Sequence, residues 1–219
     1  SSSTTSYKMG IGHTMLMIME IEVSLNEKIT KGSSWIIDNF YKNPDKIRNF
    51  ILNQDCFIED SDPRNSSFRT SKQFLFPNLK KRFENIMNSK ITKWSEYSVN
   101  GVFQYSFAGT PKFYHCDKMD WVGILYLTPN APYQCGTTLY SYKKTKVRLY
   151  GDEGWNDAWK DLPLDSHFES THFEPVDIFG NVYNRLVIFS GDCIHSCSEY
   201  FGSSKENSRL CQLFFFDSK

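Results

Sequence analysis

The chain has 219 residues, enough for one substantial domain with its own core. Aromatic residues make up 16%, a share that points to a globular protein rich in β structure and excludes a disordered one. Lys+Arg and Asp+Glu are equal at 25 each, so no bulk charge draws the protein to nucleic acid or to an anionic membrane surface.

The N-terminal run SSSTTSYKMGIGHT is Ser/Thr-rich, lacks a basic region followed by an apolar stretch, and does not resemble a signal peptide. Residues 1–32 are expected to be a flexible arm or an appended remnant, with no role for His13. The patch MLMIMEIEV at 15–23 carries two glutamates and falls short of the ~20 residues of a membrane span. A single domain is expected over 33–219, with helical support at 44–90 and a β core at about 97–216.

In chain order, SSWIIDNFY (33–41) reads as a short buried strand. Asn43 offers an N-cap and Pro44 suits the first helical position, and Ile47, Phe50 and Ile51 then place an amphipathic helix over 44–54. DSDPRNSS (60–67) reads as a loop. Pro77 opens a second helix with Leu79, Phe83, Ile86 and Met87 as its apolar stripe. From about 97 the pattern changes to short strands: YSVNGVFQYSF (97–107), the extended FYHCD, the nearly continuous apolar WVGILYLTP (121–129), and TTLYSY (137–142). Residues 143–172 lack clear alternation; a short helix at 153–160 and a lid are the expectations there. One or two strands follow over 177–198 around a Gly-Asn turn, and RLCQLFFF (209–216) is the last strand. Trp121 and Tyr140 are candidates for the barrel interior.

The chemistry concentrates in three residues. His115 and Asp117 lie two apart, so on a strand both side chains project to one face. His195 follows 80 residues later (195 − 115) on an apolar stretch after SGD. Two imidazoles and one carboxylate leave open positions on an ion, the ligand set of non-haem Fe(II) oxygenases. Arg209, 14 residues beyond His195 (209 − 195), places a cation at the head of the next strand, where a dicarboxylate co-substrate needs one. Other readings of single features stand beside this. Cys116, Cys193 and Cys197 near the histidines make a zinc site conceivable, although no pair of CxxC knuckles is present. His167 and His172 read as solvated loop residues with a chance of touching substrate. Trp155, Trp159 and Asp157 read as packing residues near the pocket mouth, and Arg185, after Asn184, as either a substrate-carboxylate contact or a surface ion pair, the latter favoured. The cysteine spacing is no disulfide framework, so the thiols are expected to be reduced and the protein cytoplasmic.

The segments YSFAGTPKFYHCD, LYLTPN, GTTLY and RLVIFSGDCIHS, with the Arg of RLCQLFFF, resemble the Fe(II)/2-oxoglutarate-dependent oxygenase superfamily, most closely its prolyl-4-hydroxylase type. With DNFYKNPDKIRNF included, they also look like a poorly characterised bacterial and viral group. The resemblance implies a mainly β fold with flanking helices, a double-stranded β-helix (jelly roll). It implies His115, Asp117 and His195 as iron ligands, Arg209 as the partner of the distal carboxylate of 2-oxoglutarate, and Tyr105 and Tyr126 as further co-substrate contacts. Cys211 stands where some relatives carry Ser or Thr. The carboxylate of Asp117, where halogenating relatives have a small residue, implies hydroxylation. Fe(II), 2-oxoglutarate and O2 would be consumed with release of succinate and CO2. The expected substrate is a small molecule, or a peptide or protein side chain, without a membrane. Nucleic acid is disfavoured despite the local basic run Lys143, Lys144, Lys146 and Arg148. The alternatives are a cupin-type metal enzyme that does not use 2-oxoglutarate, and a non-enzymatic jelly-roll binding module.

Overall fold

Alternation along a few apolar strands sets the architecture. The computed structural model describes residues 3–7, 19–23, 32–60, 66–159 and 162–219. His13 and the interior of the expected 60–67 loop lie outside the described residues. Ser1–Thr30 form one compact unit, in which β1 (Ser3–Tyr7) pairs antiparallel with β2 (Met19–Val23). Lys31–Lys219 form the other, and the site lies within it.

The larger sheet has the order β3 (Ser34–Ile37), β11 (Leu186–Ser190), β8 (Trp121–Tyr126), β13 (Arg209–Ser218), β7 (Phe103–Ser106), β5 (Phe68–Thr70) and β4 (Phe57–Glu59), with β6 (Ile91–Lys93) also on β13. A three-stranded sheet holds β10 (Phe173–Phe179), β9 (Thr137–Tyr142) and β12 (His195–Cys197) in that order. Every β8 residue is buried, because both faces of the strand are covered, as its unbroken apolar run requires.

Residues of opposite parity go to two different cores. On one face, Trp121, Leu125, Leu186, Ile188, Leu210, Phe214 and Phe216 pack with α1 (Pro44–Leu52) and α2 (Leu79–Met87). Phe83 of α2 sits 4.8 Å from Phe214 and 5.3 Å from Phe216, ring to ring. On the other face, Val122, Ile124, Tyr126, Val187, Phe189, Leu213 and Phe215 meet Leu139, Phe179 and Cys193 from the smaller sheet. Two sheets enclosing a shared interior is the jelly-roll arrangement expected from the sequence.

Pro44 begins α1 as its fixed φ favours, while Asn43 makes no side-chain cap bond. The second helix begins two residues past Pro77, after a left-handed Asn78. Trp121 and Tyr140 do not point into the barrel. Strand parity turns Trp121 to the helix side, where its indole N–H donates to Ser218 Oγ at 2.9 Å, and it puts Tyr140 on the outer face of the smaller sheet beside Tyr114 and Phe173. Buried Asn184 ties the N-terminal strap to the sheet: its Oδ1 accepts from Tyr41 N and its Nδ2 donates to Tyr41 O, each at 2.8 Å. Segment 143–172 contains α3 (Trp155–Trp159) and two 3-10 turns, Leu164–Phe168 and Ser170–His172, with residues 160–161 outside the described residues. It packs through Val147, Trp155 and Ala158 onto the outer face of the smaller sheet.

Candidate metal centre

The extended segment before β8 meets β12 at one antiparallel bridge, between His115 and His195. Each donates its N–H to the other's carbonyl, at 3.1 Å and 2.8 Å, so the two side chains leave the backbone on the same side. Their ring centroids are 4.3 Å apart. His115 Nδ1 donates to Phe113 O at 2.9 Å, and His195 Nδ1 donates to Cys193 O at 2.8 Å. A carbonyl only accepts, so Nδ1 carries the proton in both rings and Nε2 is the remaining ligand atom. Both Nε2 atoms face Asp117, at 3.9 Å and 3.3 Å from its carboxylate oxygens. The three potential ligand atoms lie within 4.8 Å of one another, and no other such cluster occurs among the described residues.

Asp117 is held from behind. Its N–H donates to Gly191 O at 2.8 Å, and Gly191 N–H donates to Asp120 O at 2.9 Å. A Cβ on Gly191 would lie 2.0 Å from the Met119 carbonyl oxygen, so only glycine lets the ligand loop dock there. Burial, reinforced by the neighbouring His195, lowers the His115 imidazole to about 4. Burial would raise the Asp117 carboxyl, but His195 and His115 beside it, with Arg69, outweigh that and hold it below the ordinary carboxylate range. A neutral imidazole and a carboxylate are the forms a metal ion needs.

The triad opens on a cavity of about 1160 Å³ that Arg209 also lines. Arg209 is 4% exposed, and no carboxylate pairs with it among the described residues. Its Nε donates to Cys135 O at 3.1 Å, and its Nη2 donates to Gly136 O at 3.1 Å and Thr137 Oγ1 at 3.3 Å. Gly136 is pressed against β10, where a Cβ would fall 1.8 Å from Phe179 O. Tyr126 is fully buried beneath, with Arg209 Cζ 5.5 Å from its ring centroid and its hydroxyl donating to Thr137 Oγ1 at 2.8 Å.

Tyr105 is not brought to the cavity. Its register opposite Leu210 turns it to the helix side, where it stacks on Phe68 at 4.9 Å. The neighbouring Gln104 faces the cavity instead and accepts from Arg69 Nε at 2.6 Å. Gln104, Arg69, Phe113 and Thr137 escaped the sequence reading; the alternation in VFQYSF marks Gln104 as facing opposite to Tyr105. His167, Trp155 and Trp159 line the cavity, whereas His172 pairs with Glu169 at 3.2 Å outside it. Arg185 forms the expected surface pair, two bonds of 2.6 Å and 2.9 Å to Asp38. In the basic run, Lys146 pairs with Glu174 and Arg148 lies 3.8 Å from Asp177.

The thiols do not assemble a zinc site. Cys116 Sγ donates to Asp192 O at 3.1 Å, Cys197 Sγ donates to Glu199 O at 2.9 Å, and burial pushes the Cys193 thiol up to about 12. Cys211 is fully buried next to Arg209, its thiol raised by burial to about 11. It supplies no hydroxyl of the kind some relatives have.

Among solved structures, the chain is similar to a prolyl hydroxylase from Trichoplax adhaerens, in complex with a hypoxia inducible factor oxygen degradation domain peptide fragment. The identity is 15%, 86% of this chain and 84% of that one are covered, and the TM-score is 0.52. HygX from Streptomyces hygroscopicus, with nickel, 2-oxoglutarate and hygromycin B bound, covers 85% of this chain and 83% of its own at 11% identity and a TM-score of 0.49. No family model and no curated protein matches the sequence. The likeness to the prolyl hydroxylase establishes the fold, a double-stranded β-helix with supporting helices. Among the described residues no helix is long and apolar enough to cross a membrane.

Proposed function

We propose that residues 33–219 form an Fe(II)- and 2-oxoglutarate-dependent oxygenase that hydroxylates an aliphatic C–H of a peptide or protein side chain or of an amino-acid-like molecule. One observation carries the reading: a His-Asp-His cluster with both Nδ1 atoms pledged shares a cavity with a buried guanidinium that no carboxylate pairs with among the described residues. A buried, unpaired cation is costly, and an anionic ligand offsets that cost.

His115 Nε2, His195 Nε2 and one Asp117 oxygen would hold the iron; two nitrogens and one oxygen suit Fe(II) and leave coordination positions for other molecules. When bound, iron supplies the centre at which O2 and 2-oxoglutarate are consumed, yielding succinate and CO2 as a C–H bond is oxidised. Arg209 would bind the distal carboxylate by charge-assisted hydrogen bonds, its guanidinium aimed by Cys135 and Gly136. Thr137 Oγ1 accepts from both Arg209 and Tyr126, so its own proton is left for the same carboxylate. Tyr126 thus acts through Thr137 and Arg209. The backbone bonds at Phe113 and Cys193 keep both imidazoles in the ligating tautomer. Six cysteines without the spacing of a disulfide framework support a reducing, intracellular setting.

Anaerobic addition of Fe(II) and 2-oxoglutarate tests the proposal. The expected result is a metal-to-ligand charge-transfer band that is absent in His195→Ala. Iron binding without the band would favour the cupin-type reading, and no metal binding would favour a non-enzymatic module.

A further inference from the structure

Segment 143–172 contributes Tyr150, Trp155, Trp159, Leu164 and His167 to the cavity that holds the triad. None of the five carries a fixed charge; the charged groups that share the cavity, such as Asp60, Arg69, Lys118 and Asp192, sit on other elements. The rings form a continuous wall. Tyr150 meets Trp155 at 5.3 Å, Trp155 stacks on Trp159 at 4.7 Å, Trp159 meets His167 at 4.7 Å, and His167 lies 5.6 Å from Phe113. Phe113 stacks 5.2 Å from His115, so the wall ends on a metal-ligand candidate. Its outer end is open: Tyr150 is 58% and Leu164 57% exposed, carrying the apolar surface out of the cavity. An apolar surface continuous from a cavity to solvent suits a ligand that extends beyond the cavity.

His167 is the polar group of this wall. Its backbone carbonyl accepts from Tyr114 N–H at 2.8 Å, and its Nδ1 donates to Tyr114 O at 2.9 Å. The Nδ1 proton is therefore engaged, and Nε2 is the ring's acceptor atom, on a ring held by Tyr114. A charged group pushed against these five residues would lose hydration and find no counter-charge among them, whereas an apolar group carrying one N–H donor would be matched.

We propose that Tyr150, Trp155, Trp159, Leu164 and His167 form a substrate-recognition wall, taking an uncharged, ring-bearing or branched aliphatic side chain presented on a peptide, with His167 Nε2 accepting from a backbone N–H of that peptide. The oxidation of this group rests on the proposed function; the recognition does not.

The test is a saturation-transfer NMR titration of N-acetyl-leucine N-methylamide, N-acetyl-phenylalanine N-methylamide and N-acetyl-glutamate N-methylamide. It is run on metal-free protein and on protein with Fe(II) and 2-oxoglutarate under nitrogen. Both apolar amides should bind at least about tenfold more tightly than the glutamate amide. His167→Phe should weaken them about fivefold, with His167→Gln recovering most of the loss. Leu164→Glu, at an exposed position outside the cores, should weaken them as well. Glutamate binding equal to leucine, wild-type affinity in both His167→Phe and Leu164→Glu, or no saturable signal from either apolar amide would overturn the proposal. Free leucine binding as tightly as its blocked form would overturn the peptide assignment. Apolar amides that bind in the absence of any charge-transfer band would leave the wall standing and remove the oxygenase reading; the reverse pattern would do the opposite.

Discussion

The two faces of the large sheet are built from the same strands and serve different ends. On β13, Leu210, Phe214 and Phe216 turn toward the helices, while Arg209, Leu213 and Phe215 turn toward the cavity. On β7, Phe103 and Tyr105 go to the helix side and Gln104 to the cavity. The helix side is closed by aromatic packing, with Phe83 and Phe214 both fully buried. The cavity side leaves a guanidinium, a carboxylate and two imidazoles directed inward. Period-two alternation lets one strand stabilise with one face and bind with the other, so substitutions a single residue apart should have unrelated consequences.

The largest effect expected on the cavity face is at Asp117. Asp117→Ala should abolish coupled succinate and product formation while the thermal transition stays near wild type. Retained turnover would remove Asp117 from the ligand set. On the helix face, Phe83→Ala should destabilise the fold by about 4 kcal/mol, read by chemical denaturation. At temperatures where the variant is folded it should still bind metal like wild type, and a loss of metal binding there would mean that the faces are not separable. Arg209→Ala should raise the 2-oxoglutarate concentration needed for half-maximal turnover about a hundredfold. A small change would transfer the anchor to another cation of the cavity.

The smallest effect lies at the far end of β13. Burial would raise the Asp217 carboxyl, but Lys93 Nζ at 2.8 Å, the Tyr97 hydroxyl at 2.6 Å and Asp120 N at 3.1 Å together hold it below its ordinary range. A depressed folded value stabilises above the unfolded carboxylate pKa, and that contribution is lost as pH falls through the folded value. Asp217→Asn should therefore cost about 1 kcal/mol at neutral pH, with the difference from wild type closing in acid. A difference independent of pH would assign the effect to packing.

The His115–Asp117 pair, both helices and the principal strands were legible in the sequence, because each rests on short-range spacing or a clear apolar period; that His195 and Arg209 share a cavity with that pair was expected from side-chain chemistry and the family resemblance, not from spacing. Tyr105 shows where spacing stops being informative. Ten residues separate it from His115, and the turn at Gly109–Pro111 lies between them, so counting does not carry side-chain parity across. The pairing Tyr105↔Leu210 decides it, and pairing is a long-range property. The strands at 57–59, 68–70 and 91–93 are three residues each, too short to show a period. Segment 143–172 has no alternation because ring contacts, from Tyr150 to His167, order it instead of a repeating face. His167 therefore read as solvated, although a reciprocal bond to Tyr114 fixes it in the cavity.

A reciprocal pair of backbone hydrogen bonds joins His115 and His195, the two candidate imidazole ligands. Little chain entropy is then left to lose when a cation arrives, which favours tight capture. Two imidazoles and one carboxylate accept all of the later first-row divalent ions, so affinity should follow their intrinsic order, with nickel and copper above iron. The metal in protein isolated from a given cell would then report that cell's supply, and Fe(II) would have to prevail by abundance.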